Sequence, residues 1–306
     1  MKYIVGINAG GTKTDYIVTD YALTAKFSSS APACNLKKAG IDKALKVLEN
    51  IVDRILSETK INIKDISGIC AGFAGAGRSS DAEALKAKFQ DLLKEKYNIE
   101  MPVIITTDIM ITLEGAFNGD EGAVLISGTG SIIYAKDKKD IYYRAGGFGR
   151  SIGDEGSGYS IGKKGLATAA KYFDSRGKEN KVVNYLKETF NVNSSEDLIK
   201  KVYEDNFEPS EFAPYVIKAA EENDEAGRKI IEEEAEELVL HIKAVKNFFT
   251  DKIKLSLSGG VIAADNYFSR LVKEKILYRF PNVEIVEPQR APEIGAVLLF
   301  KKKSGL

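Results

Sequence analysis

The 306-residue chain has a single histidine, two cysteines, three methionines, seven prolines and no tryptophan. Each scarcity removes a class of chemistry. His241 stands among Leu238, Val239, Leu240 and Ile242 in a long helical pattern and reads as a helix-face residue. With no second histidine, Ser–His and Cys–His catalysis is excluded. Cys34 and Cys70 are far apart and have no cysteine or histidine at metal-ligand spacing, so they read as two reduced thiols, one of them in a buried strand. Net charge is missing as well: 44 basic side chains balance 44 acidic ones, and no block is strongly basic, which argues against nucleic acid as a partner. No apolar run approaches the roughly 20 residues of a membrane helix. The first residues enter a strand pattern directly, without a charged leader and apolar core, so a cytoplasmic protein with no membrane partner is expected. Carboxylates and backbone amides are left to carry any chemistry.

What is present is a long alternation. With 44% hydrophobic and 29% charged residues, the chain can bury a full core, and its length suits two domains of roughly 150 residues. Strand patterns at 3–8, 15–20 and 26–30 are followed by an amphipathic helix at 41–56. A buried strand at 66–73, a helix at 80–96 capped by Ser80 and a second buried strand at 103–107 complete a partly parallel, helix-covered sheet. The pattern then restarts. Residues 4–20, IVGINAGGTKTDYIVTD, match residues 123–137, AVLISGTGSIIYAKD, as strand, glycine turn with threonine, and returning strand ending in aspartate. This implies a duplicated α/β domain whose halves are hinged and share one cleft. Residues 157–250 are mostly helical, and a strand at 255–258 precedes a helix around 266–278 and an apolar C-terminal helix.

The glycine turns carry the first functional reading. Gly10, Gly11, Thr12 and Lys13 could form an ordinary hairpin, since glycine takes positive φ freely. The same missing side chains let backbone N–H groups approach an anion. A P-loop is excluded because threonine follows the second glycine and a strand follows the turn. Gly128, Thr129 and Gly130 repeat the ambiguity, and the pair together favours a polyphosphate held from both halves. Gly259 and Gly260, between a strand and a helix, are either a plain connection or a close approach to a nucleoside. Asp108 follows the strand at 103–107, where it can cap the next helix and also present a carboxylate at the strand end, where open sheets bind ligands. The glycine-dense 146–157 stretch, GGFGRSIGDEGS, is either a flexible linker or a binding loop, with Asp154 and Glu155 at a helix start.

In order, the first turn, LISGTGS, GGFGRSIGDEGSGYSIG and SGG resemble the N-acetylglucosamine kinase and BadF/BadG-type ATPase group of the actin-like ATPase superfamily. The resemblance covers nearly the whole chain. It implies an α/β fold of duplicated RNase H-like domains with an interdomain cleft: residues 1–113 plus 290–306 for sugar and phosphate, and 114–289 for nucleotide. It implies ATP and Mg2+ as cofactors, and an amino sugar, N-acetylglucosamine or N-acetylmuramate, phosphorylated on its primary hydroxyl. Asp108 is then the base that takes the sugar's proton. Asn35, Gly75, Gly147, Phe148, Gly149 and Asp154 are then sugar contacts, with Phe148 where relatives can carry tryptophan. Asn8 stands where relatives often have a magnesium-supporting acid, so Asp108 or Asp154 is expected to carry more of the metal's field. A homodimer is expected, with the helical 157–250 segment as its surface. The alternatives are an ATPase activator, which would need cluster cysteines after the second turn, and a nucleotide or sugar sensor.

Overall fold

The computed structural model describes residues 2–306, which fall into two compact units, residues 2–121 with Glu287–Leu306, and Gly122–Val286. The first unit runs past the expected residue 113 because the helix that starts at Asp108 continues to Ala116 and stays packed on the C-terminal helix, Pro292–Ser304.

In the first unit, strands β1 (Tyr3–Ala9), β2 (Lys13–Asp20) and β3 (Ala25–Pro32) form an antiparallel meander. The short helix α1 (Leu36–Ala39) and the long α2 (Ile41–Glu58) follow. Strand β4 (Ile66–Phe73), helix α3 (Ser79–Tyr97), strand β5 (Val103–Thr107) and helix α4 (Asp108–Ala116) complete the order β3-β2-β1-β4-β5, with β4 and β5 parallel to β1. Alternation along β1 decides its two faces. Val5, Ile7 and Ala9 join Leu48, Ile51, Val52, Ile55, Leu85 and Phe89 in one core, under α2 and α3. Ile4 points the other way, toward Ile111 of α4 and Ala296, Val297 and Phe300 of the C-terminal helix. Gly6 shares that second face, and a Cβ there would lie 2.0 Å from the Glu293 carbonyl oxygen. Its job is to let the helix backbone approach the sheet. Ser80, expected to cap α3, lies inside it; Arg78 is at the cap position and makes no side-chain cap bond.

The second unit repeats the plan. Strands β6 (Gly122–Ser127), β7 (Ser131–Lys136) and β8 (Tyr142–Gly146) form a meander. Helices α5 (Gly158–Phe173), α6 (Lys181–Phe190), α7 (Ser195–Tyr203), α8 (Ala213–Glu221) and α9 (Glu225–Val245) then form the helical segment. Strand β9 (Ile253–Ser258), helix α10 (Tyr267–Arg279) and strand β10 (Val283–Ile285) give the order β10-β9-β6-β7-β8, with β9 parallel to β6 and β10 parallel to β9. Strand for strand this is the order and direction of the first sheet, which is what a duplicated domain requires. One apolar core joins Leu125 and Ile133 of the sheet to Ile161, Leu186, Val216, Leu238, Ile242 and Phe268 of the helices.

Candidate functional site

Parallel register gathers the first unit's candidate residues at one sheet end. Ala9 of β1 pairs with Phe73 of β4, which pairs with Thr107 of β5. The residues that follow, Gly10–Thr12, Ala74–Gly77 and Asp108, therefore leave the sheet side by side at the carboxyl ends of three parallel strands. Backbone bonds stitch these segments together: Ala74 N–H donates to Ala9 O at 2.9 Å, Cys34 N–H to Gly10 O at 3.1 Å, and Leu36 N–H to Ala74 O at 2.8 Å. Asn35 is held at the centre of this stitching. Its Oδ1 accepts from Lys38 N–H at 3.2 Å, capping α1, which leaves the amide N–H groups to donate to a ligand. Gly75 has φ of +80°, and a Cβ there would stand 2.5 Å from Asn35 Oδ1, so a bare backbone wall is required beside the amide.

Asp108 is the first residue of α4. The cap itself is Thr107, whose Oγ1 accepts from Met110 N–H at 3.3 Å, so the expected cap role of Asp108 passes to its neighbour. Asp108 Oδ1 accepts from Ile109 N–H at 3.0 Å. Burial pushes its carboxyl above the usual aspartate range, and the Ile109 N–H opposes that only in part. A half-buried carboxylate of raised basicity at a strand end can accept a proton from a hydroxyl group.

The remaining first-unit candidates are less committed. A Cβ on Gly11 would meet nothing within 4 Å, so the turn's backbone is open to a ligand. Lys13 reaches sideways to Asp15 at 2.8 Å, and its side chain is 66% exposed. Asp15 stands directly opposite Asn8 in the β1–β2 register. Burial pushes the Asp15 carboxyl up, but hydrogen bonds from Lys13 and Ser30 and the lysine charge hold it below its ordinary value. The acid missing at Asn8 thus has a neighbour one strand away. Among the described residues, no group of three or more His, Cys, Asp or Glu side chains could hold a metal ion. The paired Asn8 and Asp15 offer oxygen atoms of the kind that bond magnesium's waters, the metal leaning otherwise on substrate phosphates.

In the second unit the turn Gly128–Thr129–Gly130 connects the paired residues Ser127 and Ser131. It is heavily buttressed. Gly158 N–H and Tyr159 N–H at the start of α5 donate to Gly128 O at 2.8 Å and Thr129 O at 3.3 Å. Ser127 Oγ donates to Gly156 O at 2.6 Å and Ser131 Oγ to Glu155 O at 2.5 Å. These two serines tie the turn to the GDEGS loop. They were not singled out from the sequence, although hydroxyls flanking a glycine turn were the visible signal. The β6–β9 register pairs Ile126 with Ser258, which sets Gly259 and Gly260 beside Gly128. Gly259 has φ of +98°, and Val261 and Ile262 N–H both donate to Ser127 O, at 3.0 and 3.2 Å. The candidate phosphate and nucleoside turns are thus one hydrogen-bonded unit.

The 146–157 loop is folded onto that unit. Gly147 N–H donates to Ser131 O at 3.0 Å, and Gly146, Gly147, Gly149 and Gly156 all have positive φ. Phe148 is 63% exposed and carries the Arg144 guanidinium 5.2 Å from its ring centroid. Asp154 does not begin a helix; it sits in the left-handed region at φ of +64°, and α5 starts only at Gly158 with Ser157 as its cap. The reason is a tertiary contact: Asp154 Oδ1 accepts from Ser131 N–H at 3.4 Å, which folds the carboxylate back onto the second turn. Burial, and after it the adjacent Glu155, push its carboxyl up. His241 is buried beneath this loop, where a Cβ on Gly146 would lie 2.3 Å from its Nε2. Its Nδ1 bonds Glu237 O at 2.8 Å and its Nε2 has no partner. It is a packing residue under the loop, with no nucleophile to activate.

Residues 5–299 match the model of the BadF/BadG/BcrA/BcrD ATPase family. The chain is 31% identical to an N-acetylmuramic acid/N-acetylglucosamine kinase of Clostridium acetobutylicum, over 99% of both chains. It is 29% identical to an N-acetyl-D-glucosamine kinase of Dictyostelium discoideum, over 97% of both. Among solved structures, it superposes with a TM-score of 0.74 at 20% identity on a protein from Chromobacterium violaceum described as a candidate N-acetylglucosamine kinase, covering 98% of this chain and 99% of that one. A ROK hexokinase from Thermus thermophilus superposes with a TM-score of 0.59 at 14% identity, over 97% of both, which extends the shared fold to the wider sugar kinases. With nearly its full length inside the family model and a relative above 30% identity end to end, the chain belongs to the BadF/BadG/BcrA/BcrD ATPase family.

Proposed function

We propose that this protein is an ATP-dependent kinase that phosphorylates the primary hydroxyl of an N-acetylated amino sugar, N-acetylglucosamine or N-acetylmuramate. The observation that carries the reading is Asp108, a half-buried carboxylate of raised basicity that leaves β5 beside the Asn35–Gly75 wall. The names of the curated relatives support the substrate class.

In this reading Asn35 donates its amide N–H groups to the sugar, and Gly75 gives the pocket a bare backbone wall. Gly147, Phe148 and Gly149 face the sugar, and Asp154 accepts from its hydroxyls. Gly10, Gly11, Thr12, Gly128, Thr129 and Gly130 donate backbone and hydroxyl hydrogen bonds to the phosphates, and Lys13 leaves Asp15 to join them. Gly259 and Gly260 lie against the adenosine. Asn8, Asp15 and Asp108 would be the first unit's oxygen atoms for magnesium bound with ATP, which would supply charge neutralisation on the phosphates. Asp108 takes the proton of the sugar hydroxyl as that oxygen bonds to the γ-phosphorus, and the bond to the β-phosphate oxygen breaks to release ADP. The base contributes roughly 10²–10⁴-fold, and positioning and charge neutralisation supply more.

An ATP-coupled assay against hexoses, hexosamines and their N-acetylated derivatives tests this reading. Turnover is expected with the N-acetylated hexosamines. ATP hydrolysis without a phosphorylated sugar from any member of the panel would overturn it.

A further inference from the structure

The mechanism leaves the buried carboxylate of Glu234 unused. Glu234, on α9, is 1% exposed and 78 residues from the loop it touches. Its Oε2 accepts from Gly156 N–H at 2.5 Å, and its Oε1 accepts from Ser160 Oγ at 2.9 Å and pairs with Lys164 Nζ at 2.8 Å. Both oxygens are therefore occupied by donors from the end of the GDEGS loop and the first turns of α5. A buried ionised carboxylate is tolerated only when paired and hydrogen-bonded, as here. The contact is also specific in place. Gly156 is two residues from Asp154, and its carbonyl takes the Ser127 hydroxyl of the second turn. The segment is thus pinned on one side by Ser127 and on the other by Glu234.

We infer that Glu234 is a positioning residue for the sugar-binding loop, holding the segment Gly153–Ser157 so that Asp154 faces the sugar, with Lys164 keeping the carboxylate paired. This rests on the sugar role proposed for Asp154. Ser131 N–H bonds the Asp154 carboxylate directly at 3.4 Å, and the loop backbone that Glu234 holds at Gly156, two residues on, keeps Asp154 within reach of that donor. The phosphate turn is also held by Gly128 N–H on Gly130 O and by Val261 and Ile262 N–H on Ser127 O, bonds that do not run through the loop, so losing Glu234 should disturb sugar more than ATP.

The test compares Glu234→Ala, Glu234→Gln, Lys164→Met, Asp154→Asn and the control Glu233→Gln in the full chain, measuring KM for sugar and for ATP and the amide exchange of Gly156 and Ser157. Glu234→Ala is expected to raise the sugar KM roughly 10–100-fold, the range seen when an outer partner that orients a ligand-holding group is removed. ATP KM should change by less than about threefold, the mark of a lost sugar contact alone. Glu234→Gln keeps one of the two acceptors, loses the charge and should shift the sugar KM less than Glu234→Ala, and Glu233→Gln, which removes only the charge of the other partner of Lys164, should shift neither. Gly156 exchange should quicken in Glu234→Ala. An unchanged sugar KM with unchanged exchange in a folded Glu234→Ala would overturn the inference, as would an equal rise in both KM values. If Glu234→Ala fails to fold, Lys164→Met decides in the same two readouts. If Asp154→Asn alone leaves the sugar KM unchanged, the sugar role of Asp154 falls, while the exchange rates still decide whether Glu234 holds the loop.

Discussion

In the first unit the turn after β1 is closed by Gly10 N–H donating to Lys13 O, and its second glycine faces open space. In the second unit the matching turn after β6 is held by two amides of α5, two serine hydroxyls, the neighbouring Gly259–Gly260 connection and the folded-back Asp154. The strand order is the same in both sheets. The duplication therefore kept the scaffold and divided the chemistry. The first unit kept a sparse turn beside the strand-end carboxylate of Asp108 and the side-chain amide of Asn35. The second packed a helix start and a long glycine loop onto its turn, so one rigid cluster can serve phosphate, nucleoside and sugar.

The comparison can be broken at its strongest point first. Asp108→Asn removes the base and keeps the shape, so kcat should fall by at least about 10²–10⁴-fold while calorimetric binding of sugar and ATP is retained. Near-normal turnover would take the base out of the first unit. Gly259→Ala comes next: its Cβ would lie 2.5 Å from Ser127 O at a φ of +98°, which should destabilise the fold by about 1–3 kcal/mol in denaturant unfolding and weaken ATP binding. Wild-type stability would show the second turn to be less rigid than described.

The next effects are smaller. Because burial raises the Asp108 carboxyl, and the ionised form is the active base, the acid limb of kcat/KM should lie above the ordinary aspartate value of about 3.9. The sign for stability is opposite to that of a salt-bridged acid. A raised folded-state pKa means that stability is lost as pH rises from the unfolded value through the folded one, so Asp108→Asn should melt slightly higher than wild type at neutral pH. A lower melting temperature would contradict the burial argument. Smallest of all, Gly11→Ala should leave the melting temperature unchanged and alter only the ATP KM. Gly130→Ala, whose Cβ would stand 3.0 Å from Asp154 Oδ2, should raise the sugar KM as well as the ATP KM. Equal behaviour of the two variants would erase the contrast between the turns.

Much of this was legible in the sequence, for physical reasons that differ by residue. Strands at 66–73 and 103–107 announced themselves as short apolar runs, and the end of the second located Asp108, whereas Gly75 was singled out only through the family resemblance. The restart at 123 showed the duplication because a strand, glycine turn and returning strand is a local pattern. What stayed hidden was tertiary. Asp154 was expected at a helix start; no local rule foretells an aspartate at φ of +64°, which is set by Ser131 across the turn. Thr107 rather than Asp108 caps α4, since both residues favour the position and packing chose between them. Lys13 appeared free for phosphate, but its strand places it next to Asp15. Glu234 was invisible because its partners lie far off in the chain and its own neighbourhood reads as a solvated acidic helix face.

The central claim is that an Asp108-assisted primary hydroxyl attacks the γ-phosphate of ATP. The most direct measurement of it locates the new phosphate on the product by phosphorus–proton NMR coupling after incubation with N-acetylglucosamine and ATP. The account predicts coupling to the two protons on the sugar's sixth carbon. Coupling to the anomeric proton, or free inorganic phosphate with the sugar unchanged, would contradict it.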